Sequence, residues 1–137
     1  MRCIVVGLGL ALSLLADNSA VFKARLSPVP ADARTRRVIT GIGSVTGTLS
    51  GAKLTITGSF EGLHSPATVA EVRQSSVTGV RGAAIFDLMV TKATSGSLSG
   101  SFDLTPEQME SFRKGRLYVR IDSEKAQEGN LWGWLLP

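Results

Sequence analysis

From Val21 onward, apolar and polar positions alternate with a period of two, the pattern of half-buried β-strands. Phe22, Ala24 and Leu26 alternate with Lys23 and Arg25 until Pro28 and Pro30 end the first strand. A Gly- and Thr-rich run from Val38 to Leu49 leads into Ser50-Gly51. Beyond it Leu54, Ile56, Gly58 and Phe60 alternate with Lys53, Thr55, Thr57 and Ser59, which predicts a hairpin around Ser50-Gly51. Further strands are expected at Thr68–Arg73, Ala84–Val90, Leu98–Leu104, Leu117–Asp122 and Asn130–Leu136. One helix interrupts them. Thr105 suits an N-cap, Pro106 the first helical position and Gln108 the far side of a capping box, while Gly115 suits the residue just past the end. Short strands at regular spacing predict an all-β sandwich or barrel of about eight strands with one short helix. Its expected core is Leu54, Ile56, Phe60, Phe86, Leu88, Leu98, Phe102, Leu117, Val119, Leu131 and Leu135.

The first twenty residues follow a different rule. Arg2 precedes an apolar run from Cys3 to Ala16, which has the length of a signal-peptide core and falls short of the roughly 20 residues that span a bilayer. Asp17, Asn18, Ser19 and Ala20 supply a small, polar processing region. Residues 1–20 are therefore expected to be an export signal, with a retained apolar helix as the alternative, and residues 21–137 one domain. Cys3 opens the apolar run instead of following it, so it is not placed for lipid attachment. Export would put the domain in the periplasm or outside the cell, associated with the membrane through partners.

Composition sharpens this picture mainly by exclusion. The 137 residues include one Cys and one His, which leaves no intramolecular disulfide. Because the Cys is Cys3, inside the expected export signal, a Cys/His nucleophilic pair of the usual kind is not expected either. The formal net charge is +4, and the excess is concentrated in Arg34, Arg36 and Arg37, a basic patch in a Pro-containing stretch. Such a patch is either a solvated loop or a contact for anionic lipid headgroups or an acidic partner. Aromatic residues are 6% of the chain and do not interleave with the basic ones, which argues against nucleic acid as a partner.

Several stretches, in order, are similar to one family. They are Phe22–Ser27 as an opening strand, Phe60-Glu61-Gly62-Leu63 with Ser65-Pro66-Ala67-Thr68, and Gly82–Leu88 (GAAIFDL). Ser95–Leu104 (SGSLSGSFDL), Thr105-Pro106-Glu107-Gln108 and Gly115-Arg116-Leu117-Tyr118-Val119 continue the series. Together they resemble the CHRD, or chordin-type, domain over roughly residues 22–136. The resemblance implies a Greek-key sandwich or barrel similar to Cu/Zn superoxide dismutase. It also implies a His-x-His pair on the strand after Ser-Pro-Ala-Thr and a further His after the strand near Tyr118. This chain has Glu71, Arg73 and Asp122 at those places. Cu and Zn favour neutral nitrogen ligands, and an arginine among them repels a cation, so no metal and no cofactor is expected. Glu71 and Arg73 share one strand face and Arg120 and Asp122 another, so an ion-pair cluster replacing the family histidines is expected if the strands adjoin. His64, the remaining imidazole, falls in a turn.

The last strand departs from the family in another way. Leu131 and Leu135 fall on one face, and Asn130, Trp132, Trp134 and Leu136 on the other. The resemblance implies polar residues where Trp132 and Trp134 stand. Large apolar groups at wet positions point to an interface, so Asn130, Trp132, Trp134 and Leu136 are the candidate partner-binding residues. No nucleophile–base pair, acid/base pair of carboxylates or phosphate loop emerges, so no catalytic residue and no small-molecule substrate is assigned. The sequence reads as a non-catalytic exported binding or structural subunit of a cell-envelope complex, membrane-associated and with a redox assembly as one natural host. Its partners are expected to be protein, with the membrane surface as a second contact. A metal-binding or redox-related superoxide-dismutase-like domain and a free-standing matrix or adhesion module remain the alternatives.

Overall fold

A computed structural model describes residues 19–136, so the apolar run Cys3–Ala16 that was read as an export signal lies outside the described residues. The strands are β1 (Ser19–Pro28), β2 (Ile42–Ser50), β3 (Lys53–Glu61), β4 (Ala67–Gln74), β5 (Ala83–Val90), β6 (Gly96–Asp103), β7 (Leu117–Ser123) and β8 (Ala126–Trp134). Helix α1 (Pro106–Arg113) lies between β6 and β7. All neighbouring strands are antiparallel, and their order around a closed barrel is β1-β2-β3-β6-β5-β4-β7-β8. The β3–β4 and β6–β7 connections cross between strands that are not neighbours, which makes the barrel a Greek key.

Local chemistry explains the elements that matched expectation. Ser50 pairs with Lys53 across Gly51-Ala52, and Gly51 takes a φ of 61°, where a side chain would be strained. At the start of α1 the Gln108 amide donates to Thr105 Oγ1 at 3.2 Å and the Thr105 amide donates to Gln108 Oε1 at 2.9 Å, a complete capping box. Phe112 then turns inward and meets the Phe22 ring edge-on, with centroids 4.6 Å apart.

Some boundaries moved. β2 begins at Ile42 instead of Val38, because Asp32 organises residues 33–38 as a turn. Asp32 Oδ1 accepts from the amides of Arg34 (2.8 Å) and Thr35 (2.9 Å), bonds that compete with strand pairing. β8 begins at Ala126, earlier than Asn130, since Ala126 pairs with Ser123 before a register shift.

The barrel interior holds Leu26, Val45, Leu54, Ile56, Val72, Leu117, Val119, Ile121, Leu131 and Leu135, each essentially without solvent contact. Phe60, Leu88 and Leu98 are buried with them. Phe86 and Phe102 are a correction: they pack against the core but are only half-buried. The cause is a seam. β5 and β6 pair only at Met89–Ser99 and Val90–Leu98, and beyond that point the two rings stack with centroids 4.4 Å apart.

Candidate functional site

Four strands, β5-β4-β7-β8, present the outward positions that the sequence singled out. Strand register aligns these in two rows. One runs Asp87, Glu71, Arg120, Trp132, and the other Ala84, Arg73, Tyr118, Trp134. Charged groups therefore occupy the middle of the sheet and aromatic rings its β8 side.

The structure brings Glu71, Arg73, Arg120 and Asp122 together, because β4 and β7 are neighbours although far apart in the chain. Arg73 Nη1 donates to Glu71 Oε1 at 2.6 Å, and Arg120 donates through Nε to Asp122 Oδ1 at 2.8 Å and through Nη2 to Oδ2 at 3.2 Å. Arg120 also lies 3.8 Å from Glu71, which links the two pairs into a chain. All four side chains are largely shielded, so screening by water is weak. Burial pushes the Asp122 carboxyl above its ordinary range, and the Arg120 hydrogen bond and charge only partly pull it back. Two guanidinium groups already neutralise the two carboxylates here, so the residues at the family's histidine positions do not fit a metal cation. Among the described residues no group of three or more His, Cys, Asp or Glu is placed to hold a metal. His64 is exposed in its turn.

The aromatic side is built around a residue that sequence periodicity placed outside. Tyr118 points outward yet has no solvent exposure. Trp134 lies on it with centroids 4.4 Å apart, Trp132 meets it edge-on at 5.7 Å, and the two indoles are 5.5 Å apart. The β4–β5 connection completes the cover. The Gly82 amide donates to the Tyr118 hydroxyl at 2.8 Å, Arg73 Nε donates to the Gly82 carbonyl at 2.9 Å, and Thr78 Oγ1 donates to the Gly115 carbonyl at 2.8 Å. Gly82 must be glycine, because a Cβ there would overlap the Gln74 carbonyl. This strap, residues 75–82, was missed in the sequence. The Val-Thr-Gly-Val run within it reads as an ordinary loop, and only the missing side chain at position 82 hints at a close approach.

Trp132 and Trp134 are thus half-buried roofing of Tyr118, and Leu136, past the end of β8 and near Gly115, is 53% exposed. Asn130 is a correction to the candidate partner-binding set. It is fully buried, because its amide donates to the Thr40 carbonyl at 2.7 Å and its oxygen accepts from Ser123 Oγ at 2.8 Å, which ties the β1–β2 connection onto β8. Arg34, Arg36 and Arg37 are exposed on the turn built by Asp32, at the end of the sheet where β8 begins.

No curated protein and no solved structure matches the chain significantly. A family model does, and it spans residues 22–135, from the opening strand to the final core leucine. The collinear motifs, the eight-stranded barrel and this match agree: the chain belongs to the CHRD domain family.

Proposed function

We propose that this CHRD domain is a non-catalytic binding or structural module of an exported cell-envelope assembly, and that it docks a protein partner on the outer face of β8. One observation carries the reading: Trp132 and Trp134 stand together on outward positions of the last strand, and Leu136, just past its end, is exposed. Tryptophan in a partly desolvated setting with open area is the residue type most enriched among interface anchors. Family membership supports an extracellular setting and a non-enzymatic role. Among the described residues no helix is long and apolar enough to cross a membrane.

The test compares the full chain with Trp132→Arg/Trp134→Gln and, separately, Leu136→Asp, each purified from native membranes with its associated protein. The tryptophan pair gives up ring contacts worth about 0.5–1.5 kcal/mol each, so that variant melts lower while the barrel interior persists. Leu136→Asp changes a half-exposed side chain beyond the end of β8, beside Gly115, and is expected to keep the fold in either case. Loss of the associated protein from both variants supports the docking face. Full stoichiometry with either folded variant overturns it. Exchange of Glu107 and Arg113, exposed on α1, serves as the control and retains the partner.

A further inference from the structure

Arginines in this molecule fall into two classes. Arg73 and Arg120 are paired with carboxylates, whereas among the described residues Arg34, Arg36, Arg37, Arg81 and Lys125 have none within ion-pair distance. Arg81 and Lys125 line a cleft of about 510 Å³ together with Asp32 and Thr35, the framework of the turn that carries Arg34, Arg36 and Arg37, so the arginine turn adjoins the cleft.

The cleft is also organised in advance. Arg81 Nη1 donates to the Glu128 carbonyl at 2.6 Å, and its guanidinium passes over Gly129, where a side chain would stand 3.6 Å from it. A main-chain acceptor fixes the group without neutralising it, so its charge and remaining N–H donors stay available. Two carboxylates, Asp32 and Glu128, belong to the lining. Asp32 Oδ1 is engaged by the Arg34 and Thr35 amides and by Thr35 Oγ1, which keep it ionised. The charges of the lining itself therefore balance, and the positive excess beside the cleft comes from Arg34, Arg36 and Arg37 on the adjoining turn.

We infer that this cleft receives an acidic polypeptide segment of the partner that docks on the tryptophans; the inference rests on the docking face proposed above. Position ties the two together. Gly129 lines the cleft, and Trp132 and Trp134 follow on the same strand. At about 3.3 Å per residue, an extended segment of roughly five residues spans that length, passing the β1–β2 connection where Thr40 covers Asn130. Its carboxylates would meet Arg81, Lys125 and the arginine turn, and its apolar groups the indoles. The concavity selects a chain over a lipid surface. A flat anionic bilayer could touch the arginine turn but could not enter between the walls.

Poly-L-glutamate is the probe, titrated into the purified full chain at low salt. The protein reports directly, because its two tryptophans both lie on this face. The expected result is a saturable change in tryptophan emission that disappears near 1 M salt, where the screening length falls to about 3 Å. Arg36→Glu/Arg37→Glu is expected to weaken binding about tenfold or more, and Arg81→Gln severalfold, whereas Lys53→Glu/Lys92→Glu, an equal charge reversal elsewhere, leaves it nearly unchanged. Absence of binding, or equal loss in both double reversals, overturns the inference. So does binding to phosphatidylglycerol vesicles with the same dependence on Arg81, since that assigns the cleft to lipid. The docking face fails separately, if Trp132→Arg/Trp134→Gln keeps its partner. An Arg36→Glu/Arg37→Glu protein that keeps its partner sinks the acidic segment and leaves the tryptophan face standing.

Discussion

Two aspartates show how the same side chain acquires opposite acid responses. Burial raises the Asp122 carboxyl, the nearby charge of Glu71 adds to this, and Arg120 and Arg73 compensate only in part. The folded protein therefore holds this proton more tightly than the unfolded chain. Asp122 contributes stability that is complete below its ordinary value of 3.8 and is lost as pH rises through the raised value. At the exposed Asp32, hydrogen bonds from the Thr35 and Arg34 amides lower the pKa, so its contribution is present above 3.8 and lost as pH falls through the lowered value. Thermal melts from pH 3 to 7 separate the two. The stability of the parent relative to Asp122→Asn is expected to decline as pH rises, and relative to Asp32→Asn to increase. Parallel trends would contradict the assignment. Residue-scale legibility was uneven for a physical reason. Period two correctly put Glu71 with Arg73 and Arg120 with Asp122, because strand faces are local. It failed at Asn130, which bonds Ser123 and Thr40 and is buried, and it carried no sign that the outward Tyr118 is sealed by a connection from a distant part of the chain.

Among the elements, those defined by neighbouring residues were read most accurately. The Gly51 hairpin and the Thr105 capping box are closed by bonds spanning three residues. The starts of β2 and β8 were displaced because a side-chain-capped turn and a bulge competed with the ladder there. The strap over residues 75–82 is the element with most influence on the candidate site, since it turns an outer face into a small second core. Tyr118→Phe tests it. The Gly82 amide would lose its acceptor and Arg73 a neighbour, at a cost of about 1–3 kcal/mol. The variant is expected to melt several degrees lower and to shift the emission of Trp132 and Trp134, which rest on the ring. A melt within a degree of the parent, with unchanged emission, would mean that the hydroxyl does not hold the strap.

At the scale of the whole barrel, closure is uneven. β2, β3 and β6 pair along nearly their full lengths, as do β4 and β7, whereas β5–β6 and β1–β8 are each joined by two ladder positions. Strand periodicity cannot reveal this, because it carries the faces of each strand and not the length of pairing between strands remote in sequence. The proposed docking face lies on β7 and β8, with the firmly paired β4–β7 ladder beside it. The β5–β6 seam lies on the far side of β4 and is held by the Phe86–Phe102 stack. Gly100 leaves the space that Phe102 fills, since a Cβ there would come within 2.5 Å of its ring. Amide exchange should expose the difference. The β5 amides that point away from β4, and those of Gly100–Asp103 that point away from β3, are expected to exchange well before the amides shared by β4 and β7. Phe102→Ala is expected to cost about 1–3 kcal/mol, less than the roughly 3–5 of a fully buried phenylalanine, and to quicken exchange along both sides of the seam. The β7–β8 amides should keep their protection in that variant. If they lose it together with the seam, the barrel opens as one unit and the β7–β8 face has no stability of its own.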